Sequence, residues 1–501
     1  MIGHMNILYN IRRFKISIGK NPQSVSSNTV VLFPLYEATF SCGIAGLLTI
    51  KGASDSDGLT VIENISRCFE TIKTNTLTEN PGREAFGDDY MGGTRILRDM
   101  DKYILKIKQD SSLQYSIFES AESEELTALS RAMNKLIKNE EELIDRMASS
   151  FSTVEMEKTG NSLTLLKDAA WALEGDVLSN IENTVYLSGQ KDKKSISLDG
   201  FRKYRNINLL INSLDRLEVR GRDSAGVQIA FTLKNSEGLT KAREEIVDRG
   251  LYDQWEMRMI PGDLIDGSIH MSDKTQTKKG LSTISFTYKK ASVTGKLGEN
   301  GGYLRERIRA DQILHIVINE TAESDMYLAH TRWASVGSIT EENCHPINNF
   351  TPVGNIASLP CKEYPRYGSG NWSISVTLNG DIDNYGLLRT RLEGDGEDII
   401  GRGVTTDTKI ISLQIEKYLY RGYDLTEAFR LALNDLEGSH AIAMYSTIEP
   451  EKVFLALRGS GQSLYIGLCD NQYIFSSELY GLVEATPYFI KMDGERERIE
   501  G

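Results

Sequence analysis

The amino-acid sequence predicts one α+β domain interrupted by two large insertions. Three observations point there. From residue 326 onward, short strand-like runs alternate with two helical runs at dense, regular spacing. A short, Gly-containing apolar strand stands far upstream, at residues 42–50. Between them lie two long stretches of other character, 51–205 and 233–322. Removing both, with residues 1–41, leaves about 215 residues, the size of one domain.

The whole chain has 501 residues, 40% of them hydrophobic and 25% charged, which is ordinary for a globular protein. A net charge of −13 does not suit a surface that neutralises nucleic-acid phosphates. Its cysteines (Cys42, Cys68, Cys344, Cys361 and Cys469) form no CxxC pair and are too sparse for a disulfide framework. A reducing, cytoplasmic compartment fits that usage. No run reaches the roughly 20 apolar residues of a membrane span, so no membrane association is expected.

Taken in order, residues 1–41 read as a leader or propeptide. They hold a basic Arg12-Arg13-Phe14-Lys15 and a later apolar Val30-Val31-Leu32-Phe33-Pro34-Leu35. That apolar run is too short and too far from the basic part for a secretory signal. The competing reading is an extension that stays in place. Residues 42–50 read as a buried strand, and 51–115 as polar with no sustained period. Over 120–185, Leu126, Leu129, Met133, Leu136, Ile137, Leu143, Ile144 and Met147 recur at three- and four-residue steps. Leu163, Leu166, Ala169, Ala170 and Leu173 continue the stripe after Gly160-Asn161, so this stretch is expected to be a helical hairpin.

Residues 206–219 form another amphipathic pattern, Arg220 to Gly226 a turn, and 227–231 an alternating strand. The 233–322 insertion is polar and mixed. Strands follow at 326–330, 373–378, 441–445, 453–457, 464–466 and 473–476, with helices near 407–420 and 424–435. The domain closes at about 495, leaving 496–501 as a tail.

Five short runs carry chemistry: Cys42-Gly43-Ile44-Ala45-Gly46, Arg220-Gly221-Arg222-Asp223-Ser224-Ala225-Gly226, His330-Thr331-Arg332-Trp333-Ala334-Ser335-Val336-Gly337, Leu378-Asn379-Gly380-Asp381 and Thr405-Thr406-Asp407-Thr408. Cleavage between Ser41 and Cys42 would put a free α-amine beside the Cys42 thiol, so that nucleophile and base share one residue. Each run also has a plainer reading. A lone thiol is usually a buried structural Cys. Asn379-Gly380 also suits a hairpin turn. Asp407 suits a helix cap or first-turn acid. Trp333 could pack in a core, and His345 could be a satisfied structural histidine.

Together, in this order, the runs resemble the class II, N-terminal-nucleophile glutamine amidotransferase family. The His-Thr-Arg-Trp-Ala and Asp-Ser-Ala-Gly runs are most similar to its glutamine–fructose-6-phosphate aminotransferase branch. The resemblance covers 42–50, 206–232 and 326–495 and says nothing about either insertion. It implies a four-layer αββα fold, two antiparallel sheets between helical layers. It implies Cys42 as nucleophile, with Asn379 and Gly380 forming the oxyanion hole. Arg332 would clamp the glutamine α-carboxylate, Asp407 would hold its α-ammonium, and Ser335 would touch substrate. Trp333 would lie in the closing loop, His345 would shape that loop, and Arg220 would support the site.

No metal or organic cofactor is implied. The implied partners are glutamine, a sugar-phosphate isomerase domain or subunit, and further copies of the chain in a homo-oligomer. The expected activity is hydrolysis of glutamine to glutamate and ammonia through a Cys thioester, feeding glucosamine 6-phosphate synthesis. Three departures stand out: Val336 where the family usually has His, the absence of an isomerase half before Gly501, and the two insertions. They leave open a fragment, a separate synthase chain or a stand-alone glutaminase. The rival expectations are a pseudoenzyme or interaction module, and a glutaminase serving another acceptor. Cleavage before Cys42 could be self-catalysed.

Overall fold

In the computed structural model the described residues are 42–50, 58–81, 88–190, 196–233, 236–259, 266–272, 281–292, 295–333, 336–351, 372–393, 400–401, 403–459, 461–469 and 472–492. The chain divides into two compact units, one made of 1–50, 210–317 and 321–501, the other of 51–209 and 318–320. The leader reading of 1–41 lies outside the described residues.

The first unit is built on two antiparallel sheets. Its strands are β1 (Gly43–Ile50), β2 (Ser224–Leu233), β3 (Ser268–Ser272), β4 (Ser282–Ala291), β5 (Ala322–Arg332), β6 (Ile347–Asn348), β7 (Ile374–Gly380), β8 (His440–Ser446), β9 (Val453–Arg458), β10 (Tyr465–Cys469), β11 (Gln472–Ser476) and β12 (Phe489–Lys491). The larger sheet runs β12-β10-β11-β1-β5-β2-β4-β3 and the smaller β6-β7-β8-β9. Ile44, Leu48, Ala230, Met326 and Leu328 of the larger sheet share one core with Ala441, Ala443 and Tyr445 of the smaller. The period of two explains the other face of the smaller sheet. There Ile374, Val376, Leu378, Ile442 and Met444 point away from that shared core and pack on helices Thr408–Tyr420 and Leu425–Asp435. By the same alternation Ser375, Thr377 and Asn379 face the larger sheet.

Two readings of this unit change. The polar 233–322 stretch contributes β3 and β4 to the larger sheet, where β4 pairs with the whole length of β2. Asn379-Gly380 is not a hairpin turn: β7 pairs with β8, sixty residues on, and helices intervene.

The second unit is helical. The 51–115 stretch, read as lacking a period, contains helices Gly58–Thr74 and Gly93–Gln109. Their buried stripes are Val61, Ile62, Ile65, Phe69 and Ile72, and Leu97, Met100, Ile104 and Ile107. The second stripe is narrow and hidden among Arg95, Arg98, Asp99, Asp101 and Lys102, which is why composition masked it. Helices Glu122–Met147 and Thr153–Trp171 pack on each other. The break between them falls at 148–152, not at Gly160-Asn161, because Ser152 and Glu155 form a reciprocal capping box. Gly160 lies inside the second helix.

A buried carboxylate organises this unit. Glu140 accepts from the Leu77 and Thr78 N–H groups (3.0 and 2.7 Å), from Thr78 Oγ1 (2.5 Å) and from Tyr90 OH (2.7 Å). Glu140→Ala leaves the buried Leu77 N–H and Tyr90 OH without their acceptor. It should cost about 3 kcal/mol or more, read by denaturant unfolding. A loss under about 1 kcal/mol would show that the network contributes nothing net.

Candidate functional site

The site is made where one end of the larger sheet meets one end of the smaller. Register does most of the positioning. β1 pairs with β5 as Gly43 opposite Thr331 and Ile44 opposite His330, which brings Cys42 to the end of β5. Cys42 Sγ donates to the Trp333 carbonyl at 3.5 Å. On the other side of β1, Ile44 N–H donates to Ser477 Oγ (3.0 Å) and Ser477 N–H to the Ile44 carbonyl (2.9 Å).

The thiol is protonated in this environment. Burial pushes it up to about 11, with the Asp381 and Asp407 carboxylates adding to the rise. The Trp333 contact and the Arg332 guanidinium pull the other way and lose. A thiol held this high needs a base beside it before it can attack.

Arg332, at the end of β5, is buried, and its guanidinium donates to the carbonyls of Ser338 (3.1 Å) and Val336. It thus holds the segment that follows. Across β2, the Arg220–Gly226 turn lies directly on that backbone. A Cβ at Gly221 would sit 2.6 Å from the Arg332 carbonyl carbon and the Trp333 nitrogen, so only glycine permits the approach. Asp223 N–H closes the contact by donating to the Arg332 carbonyl (3.1 Å). Arg220 itself pairs with Glu478, one residue beyond the Ser477 that brackets Ile44, rather than with the thiol. Trp333 is 38% exposed, so it is not a core residue. Ser335 lies outside the described residues.

The smaller sheet brings Asn379 and Gly380 at the end of β7. Gly380 has φ +90°, and a Cβ there would lie 2.1 Å from the Ser439 carbonyl oxygen, so this position also demands glycine. Asp407 precedes helix Thr408–Tyr420 but makes no side-chain cap to it. Its Oδ2 instead accepts the Ile382 N–H at 2.9 Å, just past β7. Burial pushes its carboxyl up to about 6, Asp381 adding to the rise while the Ile382 N–H and Arg332 oppose it.

His345 is buried and hydrogen-bonded on both ring nitrogens, to Thr408 Oγ1 (2.9 Å) and to His330 and Leu378 (3.2 and 3.4 Å). Thus Cys42, Arg332 and Asp407 share one electrostatic neighbourhood, with Asn379 beside it through His330. Three residues carried no assigned role: His330 and Asp381, which lie in the runs, and Asn343, two residues before His345. Asn343 spends its whole amide on two loops. Oδ1 accepts from Thr405 and Thr406 N–H (2.7 and 3.0 Å), and Nδ2 donates to Ser338 Oγ, Thr340 Oγ1 and the Gly403 carbonyl (3.0, 2.8 and 3.0 Å). Only its place two residues before His345 could have flagged it.

Curated relatives match parts of this chain. A glutamine–fructose-6-phosphate aminotransferase (isomerizing) from Acidithiobacillus ferridurans is 28% identical over 210 residues, 42% of this chain and 30% of that protein. Its counterpart from Methanothermobacter thermautotrophicus is 33% identical over 177 residues, 35% of this chain and 26% of that protein. The Clostridium tetani counterpart is 32% identical over 167 residues, 33% of this chain and 23% of that protein. Over the matched residues the chain is similar to these aminotransferases. The chain spans less than a third of the length of these relatives. No family model matches it. Among solved structures, a glutamine phosphoribosylpyrophosphate amidotransferase from B. subtilis aligns with the chain at 17% identity, covering 53% of this chain and 44% of that one, with a TM-score of 0.28. Among the described residues, no cluster of three or more His, Cys, Asp or Glu is arranged to hold a metal ion, and no helix is long and apolar enough to cross a membrane.

Proposed function

We propose that this chain is a glutaminase that works once it begins at Cys42. The observation that carries the reading is the gathering of one thiol, one guanidinium and one carboxylate at a shared end of two sheets. In this reading the Cys42 α-amine takes the thiol proton, and sulfur attacks the side-chain amide carbon of glutamine. The resulting oxyanion is held by Asn379 Nδ2 and Gly380 N–H. The α-ammonium returns its proton to the leaving nitrogen, and ammonia departs. Water, deprotonated by the same amine, then hydrolyses the thioester to release glutamate. Arg332 binds the α-carboxylate, Asp407 the α-ammonium, and Trp333 and Ser335 complete the closing segment, with Arg220 and His345 supporting it.

A four-layer αββα arrangement with its insertions, fructose 6-phosphate as ammonia acceptor, a separate isomerase domain or subunit, homo-oligomerisation and a cytoplasmic setting belong to the same reading. The names of the relatives support the acceptor. The test is ammonia and glutamate release from glutamine by protein trimmed to begin at Cys42. Stoichiometric release supports the reading, and none at millimolar glutamine favours an interaction module.

The raised Asp407 carboxyl gives a pH signature. Its folded value, about 6, lies above the ordinary 3.8, so between these values the folded state holds more protons than the unfolded one. Its contribution to stability is therefore full below about 4 and is lost as pH rises to about 6. Substrate binding runs the opposite way, because an ammonium needs the ionised carboxylate. The KM for glutamine should rise up to about tenfold per pH unit below about 6. Asp407→Asn should raise KM and flatten that dependence. A wild-type KM that stays level down to pH 5 would remove Asp407 from the ammonium site.

A further inference from the structure

β6 is only two residues long, and it pairs with β7 only at Val376 and Ser375. A strand's N–H and C=O at one residue point to the same side, and the sides alternate along the chain. Ile374 N–H faces away from β8, since it donates to Asn349 Oδ1 at 2.8 Å. Leu378, four residues on, therefore turns its N–H and C=O to the same edge. There β6 has not yet begun, and the chain passes through His345-Pro346. A buried peptide left open at that edge would cost about as much as a lost hydrogen bond for each polar group.

Two imidazoles fill the place of the missing strand. His330, from β5 of the larger sheet, has Nε2 at 2.8 Å from the Leu378 carbonyl, so that nitrogen carries the proton and donates. His345 Nδ1 lies 3.4 Å from Leu378 N and accepts its N–H, and it is also 3.2 Å from His330 Nε2. His345 Nε2 then carries the proton and meets Thr408 Oγ1 at 2.9 Å. The rings sit 4.1 Å apart between centroids. Burial drives His330 down to about 3 and His345 well below the usual range, so both stay neutral and keep these roles. The His330 ring also adjoins the Asn379 side chain.

We infer that His330 is a positioning residue: with His345 it grips the Leu378 peptide from the larger sheet and so fixes the Asn379 and Gly380 donors relative to Cys42. The inference rests on the glutaminase reading for the role of those donors. The grip itself is a property of the fold. It explains a His at the head of the His-Thr-Arg-Trp run that takes no part in the proposed chemistry itself.

The test uses the full chain trimmed to begin at Cys42. His330→Leu should lower kcat about 10- to 100-fold with KM within twofold, and the rate of Cys42 alkylation by iodoacetamide should not change. His330→Gln places an amide N–H where Nε2 was and should recover activity to within about threefold. His330→Asn is too short to reach Leu378, keeps a polar group in the space, and should behave as His330→Leu if that protein folds poorly. In an Asn379→Ala background, His330→Leu should cost less than about twofold more, because the two act through one group. A full, independent loss in that background, or an effect confined to KM, overturns the proposal. Hydrogen exchange across 377–381 reads the grip without turnover: it should quicken at least about tenfold in His330→Leu and not in His330→Gln. Unchanged exchange also overturns the proposal. Wild-type protein that releases no ammonia sinks the glutaminase reading alone, and the exchange measurement then decides the grip by itself.

Discussion

Protein trimmed to start at Cys42 should lose glutamine hydrolysis by about ten thousandfold or more when Cys42 is changed to Ala, as expected for removal of an attacking group. The same protein left with residues 1–41 attached should be nearly as inactive, for a different reason. With a peptide bond on its nitrogen, Cys42 has no amine to accept a proton. A thiol at about 11 is ionised only to about one part in ten thousand at pH 7. Freeing the α-amine, with an ordinary value near ~7.7–8.0, supplies a base that is part neutral at that pH. Intact-mass measurement beside the ammonia assay separates the two cases. Activity should track the fraction of molecules whose mass begins at Cys42. An untrimmed sample that turns over as fast as a trimmed one would remove the amine from the mechanism. A trimmed Cys42→Ala protein at wild-type rate would remove the thiol.

Asn379→Ala should lower kcat about 100- to 1,000-fold with little change in KM, equivalent to about 2.7–4 kcal/mol of barrier. The reason is that an oxyanion exists only after attack, so its donor contributes to the transition state and not to substrate binding. Asn379→Ala removes no strand hydrogen bond, because its pairing with Ala441 uses backbone alone. The protein should therefore stay folded, and thermal unfolding within a few degrees of wild type would confirm that the loss is chemical. A rise in KM matching the fall in kcat/KM would instead make Asn379 a ground-state contact. Gly380 offers no equally clean variant. Any side chain there meets the Ser439 carbonyl and a positive φ, so loss of stability and loss of the N–H donor arrive together.

How much of this could be read beforehand depended on whether the signal was local. The strand runs from 326 onward alternate in a way that needs only a few residues to recognise, and their observed counterparts, such as β7, β8 and β11, lie within a few residues of the expected positions. Helix Thr408–Tyr420 was equally legible from its period. The helix at Gly93–Gln109 was not, because charges crowd a narrow apolar stripe. β3 and β4 were missed because Ser, Thr and Lys dilute their apolar positions, and pairing with β2 supplies what propensity does not. In the candidate site, residue types were visible but distances were not. Asn379-Gly380 reads equally well as a turn until β8 is found opposite β7. His330 has no chemistry to advertise at all, since its role exists only through the Leu378 peptide across the gap between sheets.

The bracketing of β1 has a temporal consequence. Ile44 is hydrogen-bonded to Ser477, 433 positions away in the chain, and β1 has β5 on its other side. Contacts of that span are slow to form, because a very long loop must close before they give anything back. During synthesis β1 emerges first and then waits about 20–90 s for β11 to be made. Any trimming that reads the finished site, whether by the chain itself or by a protease, therefore acts only after β11 has been made. Ribosome-stalled chains ending before β10 should keep their first 41 residues under conditions where released chains lose them.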